Sequence, residues 1–380
     1  MSFKSLGLSP NIINTTRTLG YSAPFDIQSQ AIPAILKGRD VMGIAPTGSG
    51  KTACFVMPIL DVLQKQQIAR SRKIQVLIIV PTRELAVQID ETCRAFSAPL
   101  MRDVRTLAVY GGVSTQVQMK ALYGTEVLVA TSGRLLELMG LKALDLSEVR
   151  HLVIDEADKL FQLGFEEEIN QIIEVLPLRK QVVLFSATLN HKIEEMKARL
   201  NILPLIIDVK QNQVAAVSIN QLAYLVSEEQ KGPFLRYLIR THSIERVLIF
   251  VSSQRTADNV VEKLKKNGIP AISIHGSKSQ GTRMSHLDQF KKGDMQVLVA
   301  TDLIGRGIHI DHLPFVINYD LPRSPLDYVH RIGRTGRVNE TGTAISILTD
   351  NDLHHFKIIQ KKMGKQVPIE DKKDTNLHGF

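Results

Sequence analysis

The sequence predicts an α/β protein of two tandem domains, each a mostly parallel sheet with helices on both faces. Three observations carry that prediction. Short runs rich in Val, Ile and Leu recur along the chain. They are continuously apolar rather than alternating, which is the pattern of strands buried on both faces. Amphipathic helical stretches separate them, and 380 residues are long for one core but suit two domains of ordinary size.

In the first half, strands are expected at 41–44, 76–80, 107–110, 127–130, 152–154 and 182–185. Helical periodicity fills the gaps, for example at 84–96 and 165–175. The second half repeats the theme at 222–226, 247–251, 271–274, 297–300, 315–317 and 344–348. Between the halves, 201–220 carries Leu203-Pro204 and the polar run Lys210-Gln211-Asn212-Gln213, and reads as the linker. From Lys361 onward the chain is charged and without clear periodicity, so it is expected to fray as a short basic tail. The expected domains are therefore 1–208 and 209–360, followed by 361–380. Doubly wound sheets bind ligands beyond the carboxyl ends of their strands. Motifs at strand ends are accordingly the candidate sites.

Composition narrows the function classes. A hydrophobic content of 44% with 22% charged residues fits a globular protein and argues against disorder. The net charge of +9 points to a polyanionic partner, although charge alone fits a simply basic soluble protein equally well. Cys54 and Cys93 stand far apart without metal-ligand spacing, so neither a disulfide framework nor a zinc site is suggested. Met1-Ser2-Phe3-Lys4-Ser5 leads into no apolar signal core, and no stretch is long enough to span a bilayer. The expectation is a soluble, cytoplasmic protein.

The segment Ala45-Pro46-Thr47-Gly48-Ser49-Gly50-Lys51-Thr52 lies between an expected strand and an expected helix. That is the setting of a phosphate-binding loop, in which glycines let backbone N–H groups close around an anion at a helix N-terminus. Lys51 can reach the β- and γ-phosphates, and the Thr52 hydroxyl can ligate Mg²⁺. Thr47, Gly48, Ser49 and Gly50 supply the cradle, with Ala45 where the general pattern has its first glycine. The run Leu152-Val153-Ile154 leads directly into Asp155-Glu156-Ala157-Asp158. An acidic residue at a strand end beside a phosphate loop can hold Mg²⁺, and its neighbour can orient or deprotonate an attacking water. Alone, the pair would read as an acidic turn capping a helix.

With both motifs in view, the chain resembles the DEAD-box family of ATP-dependent RNA helicases. The match runs in family order over 3–349 and implies two RecA-like domains, with ATP and Mg²⁺ as cofactors and RNA as partner. Pro81-Thr82-Arg83-Glu84-Leu85-Ala86, Gly111-Gly112 and Thr131-Ser132-Gly133-Arg134 match motifs that in the family grip the RNA backbone. Ser186-Ala187-Thr188, with Asp158, matches the motif that couples hydrolysis to strand separation. Second-domain matches are Gln280 with Arg283, Ala300-Thr301-Asp302, and His330-Arg331-Ile332-Gly333-Arg334-Thr335-Gly336-Arg337. By resemblance, Gln28 reads the adenine edge, Phe3 packs on the base, and Gly307 and His309 belong to the nucleotide site. Arg334 and Arg337 would be arginine fingers, while His330 and Arg331 would bridge toward the acidic motif.

The RNA candidates Pro81, Thr82, Arg83, Gly112, Thr131, Arg134, Gly276, Arg283 and Thr301 suit phosphate and 2′-hydroxyl contacts, which hold a strand without reading its sequence. With 5% aromatic residues and no Trp, little suggests a run of base-stacking platforms. The compact core resembles bacterial members, which implies ribonucleoprotein or ribosome-assembly partners. An ATP-gated RNA clamp with little unwinding would carry the same motifs. A DNA translocase is disfavoured by the acidic motif and adenine segment, and a metabolic kinase would not explain the second arginine motif.

Four positions depart from the family pattern: Phe25-Asp26 stands for Thr-Pro, Ser132 for Pro, and His309 for an Asp that contacts the nucleotide ribose. Ser132 still suits a helix start. A neutral imidazole can hydrogen-bond a hydroxyl, but with different reach. His309→Asp is therefore expected to lower the Michaelis constant for ATP, and an unchanged or higher constant in steady-state ATPase kinetics would exclude that role.

Overall fold

Two seven-stranded parallel sheets organise the chain, in a computed structural model that describes residues 2–45, 49–66, 73–100, 102–209, 219–302, 310, 313–335 and 342–380. The first sheet lies in the unit Met1–Asn212 and the second in the unit Gln213–Phe380. The first comprises β1 (Val41–Ile44), β2 (Val76–Val80), β3 (Thr106–Val109), β4 (Val127–Thr131), β5 (His151–Ile154), β6 (Gln181–Ser186) and β7 (Leu205–Asp208), in the order β3-β4-β2-β5-β6-β1-β7. The second comprises β8 (Asn220–Leu225), β9 (Val247–Val251), β10 (Ala271–Ile274), β11 (Val297–Thr301), β12 (Phe315–Asn318), β13 (Thr343–Leu348) and β14 (Ile369–Asp371), in the order β10-β11-β9-β12-β13-β8-β14. Counting each sheet from its own first strand gives the same order twice. The two units share one topology.

The continuous apolar runs form strands because both faces of each sheet are covered. All five residues of β2 are buried, and they divide between two cores. Val76, Ile78 and Val80 join one apolar layer, while Leu77 and Ile79 join the other. Helices flank the strands and start at polar caps. The Thr82 hydroxyl accepts from the Leu85 N–H ahead of Arg83–Ser97. Ser253 and Ser279 do the same for Gln254–Lys266 and Gln280–Lys292. The expected helix beginning at Ala53 starts two residues earlier, as Lys51–Gln64. Among the described residues, no helix is long and apolar enough to cross a membrane.

Two expectations are corrected. The stretch 201–220 is not all linker, because Leu205–Asp208 pairs in parallel with β1. The terminal stretch does not fray either. The helix Leu353–Met363 runs into it, Ile369–Asp371 pairs with β8, and Phe380 packs edge-on against Tyr237 at 5.3 Å. Both missed strands occupy the same place in the repeated topology, at the sheet edge beside the unit's first strand. Each follows a helix closed by a left-handed residue, Asn201 or Gly364, and each is directly preceded by proline, Pro204 or Pro368. Both are half-exposed and only four and three residues long; Leu205-Ile206-Ile207 is apolar but sits directly behind Pro204, and Ile369-Glu370-Asp371 is mostly acidic.

One close approach fixes β1 against β6. Gly43 pairs with Phe185, and a Cβ on Gly43 would lie 2.3 Å from the buried Phe185 ring and 3.2 Å from Ile27 Cδ1. Gly43→Ala is expected to destabilise the first unit by about 1–3 kcal/mol through overpacking, read as a lower urea midpoint with an unchanged slope.

Candidate functional site

Because every pairing in the first sheet is parallel, all seven strands finish on one edge. The motif residues lie along that edge in an order the sequence does not display. Ala45 to Thr52 follows β1, Ser186 ends β6 and Asp155 follows β5, and these three strands are neighbours. Pro81-Thr82-Arg83 follows β2, Thr131 ends β4 and Gly111-Gly112 follows β3, and these too are neighbours. One half of the edge thus holds the phosphate-loop and acidic motifs. The other holds the backbone-gripping candidates.

In the first half, Gly50 takes φ +79° and opens the helix Lys51–Gln64. A Cβ there would meet Gln28 Nε2 at 2.5 Å and Phe25 Cδ2 at 2.7 Å, so glycine is required on both counts. Gln28 is fully buried. Its Nε2 donates to the Gly50 carbonyl at 3.0 Å and its Oε1 accepts from the Phe25 N–H at 3.0 Å. One amide hydrogen and one lone pair remain for a ligand. Lys51 is also buried, and its Nζ donates to the Ala45 carbonyl at 2.9 Å. Ser49 and Thr52 are half-buried beside it.

Asp155 is buried, and burial pushes its pKa up to about 6 against the pull of Lys51. Its Oδ1 accepts from the Glu156 N–H at 2.9 Å. Glu156 sits at φ +53°, a left-handed conformation costing roughly 1–3 kcal/mol for a non-glycine residue. Its carboxylate pairs with Lys159 Nζ at 2.7 Å, both side chains being buried. Ser186 ties the two motifs together. Its carbonyl accepts from the Ala45 N–H at 3.1 Å, and the next N–H, of Ala187, donates to Asp158 Oδ1 at 3.4 Å. The Ser186 hydroxyl donates to the Thr188 carbonyl at 2.6 Å. The hydroxyl of Thr52 and the carboxylate of Asp155 are hard oxygen donors of the kind Mg²⁺ takes, so the residues present fit that ion.

Phe3 is buried in the core, edge-on to Tyr21 at 6.4 Å, because the turn Phe3–Leu6 packs its apolar side inward. The aromatic next to the loop is Phe25, 48% exposed and lying over Gly50. Its position immediately before the helix carrying Gln28 was the available signal.

In the other half, Arg83 lies against the glycine pair. A Cβ on Gly112, at φ +84°, would come within 2.1 Å of Arg83 Nη1. Arg134 is largely occupied by the protein itself. It donates to Glu137 Oε2 at 2.9 Å, Gln118 Oε1 at 2.7 Å and the Val113 carbonyl at 2.9 Å, and so braces the loop after Gly112. Thr131 is half-buried and precedes the helix Ser132–Gly140.

The second unit uses the corresponding edge. Gly276 follows β10 and is exposed, Thr301 ends β11 half-buried, and Gln280 and Arg283 are buried on one helix. Both Gln280 amide atoms lack a hydrogen-bond partner among the described residues. Arg331 is bonded within its own unit. Its guanidinium grips Asp302 in a fork at 2.6 and 2.8 Å and donates to Asn318 Oδ1 at 3.1 Å and the Asp320 carbonyl at 2.6 Å. It also lies 5.0 Å from the Phe250 ring centre. These contacts make it a staple across β9, β11 and β12. His330 and Arg334 are buried nearby in the same unit. Thr47, Gly48, Gly307, His309 and Arg337 lie outside the described residues.

Comparison with known proteins agrees with this layout. The DEAD/DEAH box helicase family model matches residues 25–196, and the helicase conserved C-terminal domain model matches 230–339. A DEAD-box ATP-dependent RNA helicase, CshA of Geobacillus kaustophilus, is 36% identical over 97% of this chain and 78% of its own length. The chain belongs to the DEAD-box family of ATP-dependent RNA helicases. The pre-mRNA-processing ATP-dependent RNA helicase prp5 of Aspergillus fumigatus is 38% identical over 97% of this chain, which spans only 31% of that longer relative. Among solved structures, Dbp5 of S. cerevisiae bound to RNA and ADP BeF3 is 29% identical with a TM-score of 0.84, covering 98% of this chain and 96% of its own. The phosphate loop of this DEAD-box chain leans on Gln28 as well as on its own glycines. Gln28→Glu replaces the amide donor with a carboxylate facing the Gly50 carbonyl. It is expected to weaken binding of a fluorescent ATP analogue by about tenfold or more, and to lower the urea midpoint as well, because the new carboxylate is fully buried against a carbonyl.

Proposed function

We propose that the chain is an RNA-stimulated ATPase that binds RNA backbone without reading sequence and separates short duplexes locally. The observation that carries this reading is the division of one strand-end edge into a phosphate-loop half and a backbone-gripping half, with Ser186 bonded into the former. Gln28 selects the adenine edge, Lys51 and the N-terminus of its helix hold the phosphates, and Thr52 and Asp155 hold Mg²⁺. When bound, Mg²⁺ neutralises charge on the phosphate oxygens. Glu156 orients the attacking water and accepts its proton as the water oxygen bonds to the γ-phosphorus and ADP leaves.

The second unit closes on the first when RNA and ATP are both present, and Arg334 and Arg337 then stabilise the charge that develops in transfer. Arg83, Gly112, Thr131, Gly276 and Thr301 grip the strand, and Arg134 and Arg283 shape the surfaces that carry them. A cytoplasmic role in ribonucleoprotein remodelling or ribosome assembly fits the resemblance to bacterial members.

RNA is expected to stimulate ATP hydrolysis by the wild-type chain. Lys51→Ala and Glu156→Gln should lower the stimulated rate by about 10²–10⁴-fold. Stimulation by DNA but not RNA would overturn the substrate. Displacement of a strand from a short RNA duplex distinguishes unwinding from ATP-gated clamping.

A further inference from the structure

A cavity of about 130 Å³ opens in the second unit between the helices Lys231–Thr241 and Gln254–Lys266, with Tyr319 beside it. It takes no part in the chemistry proposed above. Its polar lining is Arg236, Thr256, Asn259, Lys263 and Tyr319, and no carboxylate lines it. Leu235, Val260 and Leu264 supply the apolar wall. Lys263 makes no ion pair among the described residues, in contrast to Lys266 on the same helix, which pairs with Glu262 at 2.7 Å. Arg236 donates through Nη2 to the Phe380 carbonyl at 2.7 Å, yet its buried Nε has no hydrogen-bond partner among the described residues. An unmatched buried donor on a cation calls for an acceptor.

Asp320 and Glu228 act on the Tyr319 hydroxyl from outside this lining. Asp320, the nearest carboxylate in sequence to Tyr319, is already held by Lys231 at 2.7 Å and by the Ser252 N–H at 2.8 Å. Burial, and then the neighbouring Arg240 cation, pushes Arg236 below the usual guanidinium value. Burial raises the Tyr319 hydroxyl to about 12, so it remains a donor at neutral pH.

The geometry points to a binding site for a phosphate dianion, free or as the head of a small phosphomonoester, held by Arg236, Lys263, Asn259 and Tyr319. Two cations match a group carrying about −1.5 to −2 charges, and several convergent donors suit its three strong acceptor oxygens better than they suit a carboxylate. The volume admits the phosphate head, and the leucine wall would take a short carbon stem.

The test uses amide spectra of the isotopically labelled full chain, titrated with inorganic phosphate at constant ionic strength. The resonances of Arg236, Thr256 and Lys263 are expected to shift along one saturable curve. Lys263→Met should weaken that curve about tenfold, and Lys263→Arg should retain it. An otherwise unchanged spectrum verifies that each variant is folded. Glycerol phosphate identifies the source: tighter binding than inorganic phosphate assigns a phosphomonoester, and weaker binding assigns the free ion. Phosphate-induced shifts confined to Ser49–Thr52 would overturn the site, as would the absence of any saturable shift at the cavity. Acetate binding there as tightly as phosphate would overturn the phosphate assignment.

Discussion

Parallel pairing is the constraint on which the rest depends. A parallel strand cannot turn back on its neighbour, so each must cross over through a helix and re-enter at the same end. All carboxyl ends therefore meet on one edge, and segments more than a hundred residues apart, such as Ala45 and Ser186, become bonded neighbours there. Fully buried strands such as β2 and β9 are what make the arrangement stable. Each is covered by apolar helices on both faces, which leaves only the strand ends free to carry polar chemistry.

The repeated strand order shows how far a sequence can be read by apolar pattern. Twelve strands, ten inner ones and the edge strands β3 and β10, announce themselves as apolar runs, continuous in inner strands such as β2 because burial on both faces demands it. The other two edge strands, β7 and β14, do not, because each is short, half-exposed and set directly behind a proline. Their signal was of another kind: a left-handed helix cap followed within a few residues by proline, at 201–204 and again at 364–368. Reading the second unit as a repeat of the first would have placed β14 once β7 was known.

Site residues were legible as motifs but not as roles. Arg83, Arg134 and Arg331 are all motif arginines in the linear sequence, and tertiary partners separate them. Arg331 spends its guanidinium on Asp302, Asn318 and Asp320, and Arg134 braces the Val113 loop, whereas Arg83 rests against a glycine pair that offers no side-chain acceptor. The distinction depends on which carboxylates and carbonyls the fold delivers, and no spacing rule encodes that. The same holds for Phe3 and Phe25. The first is buried against Tyr21, while the second lies over Gly50, where a Cβ would meet its ring.

The acidic motif is bonded into the strand beside it. Glu156 is held in an unfavourable backbone conformation, and what holds it is local: the Asp155 carboxylate accepts its N–H, and Lys159 pairs with its side chain. Ser186 is bonded on one side to the phosphate loop, while the next peptide N–H, of Ala187, is bonded to Asp158. Any group that draws Lys51 away from the Ala45 carbonyl, or recruits Asp155 as a ligand, therefore alters contacts shared with β6. Glu156 thus stores about 1–3 kcal/mol of backbone strain, and the bonds that hold it there belong to the same strand-end network as the phosphate loop and β6.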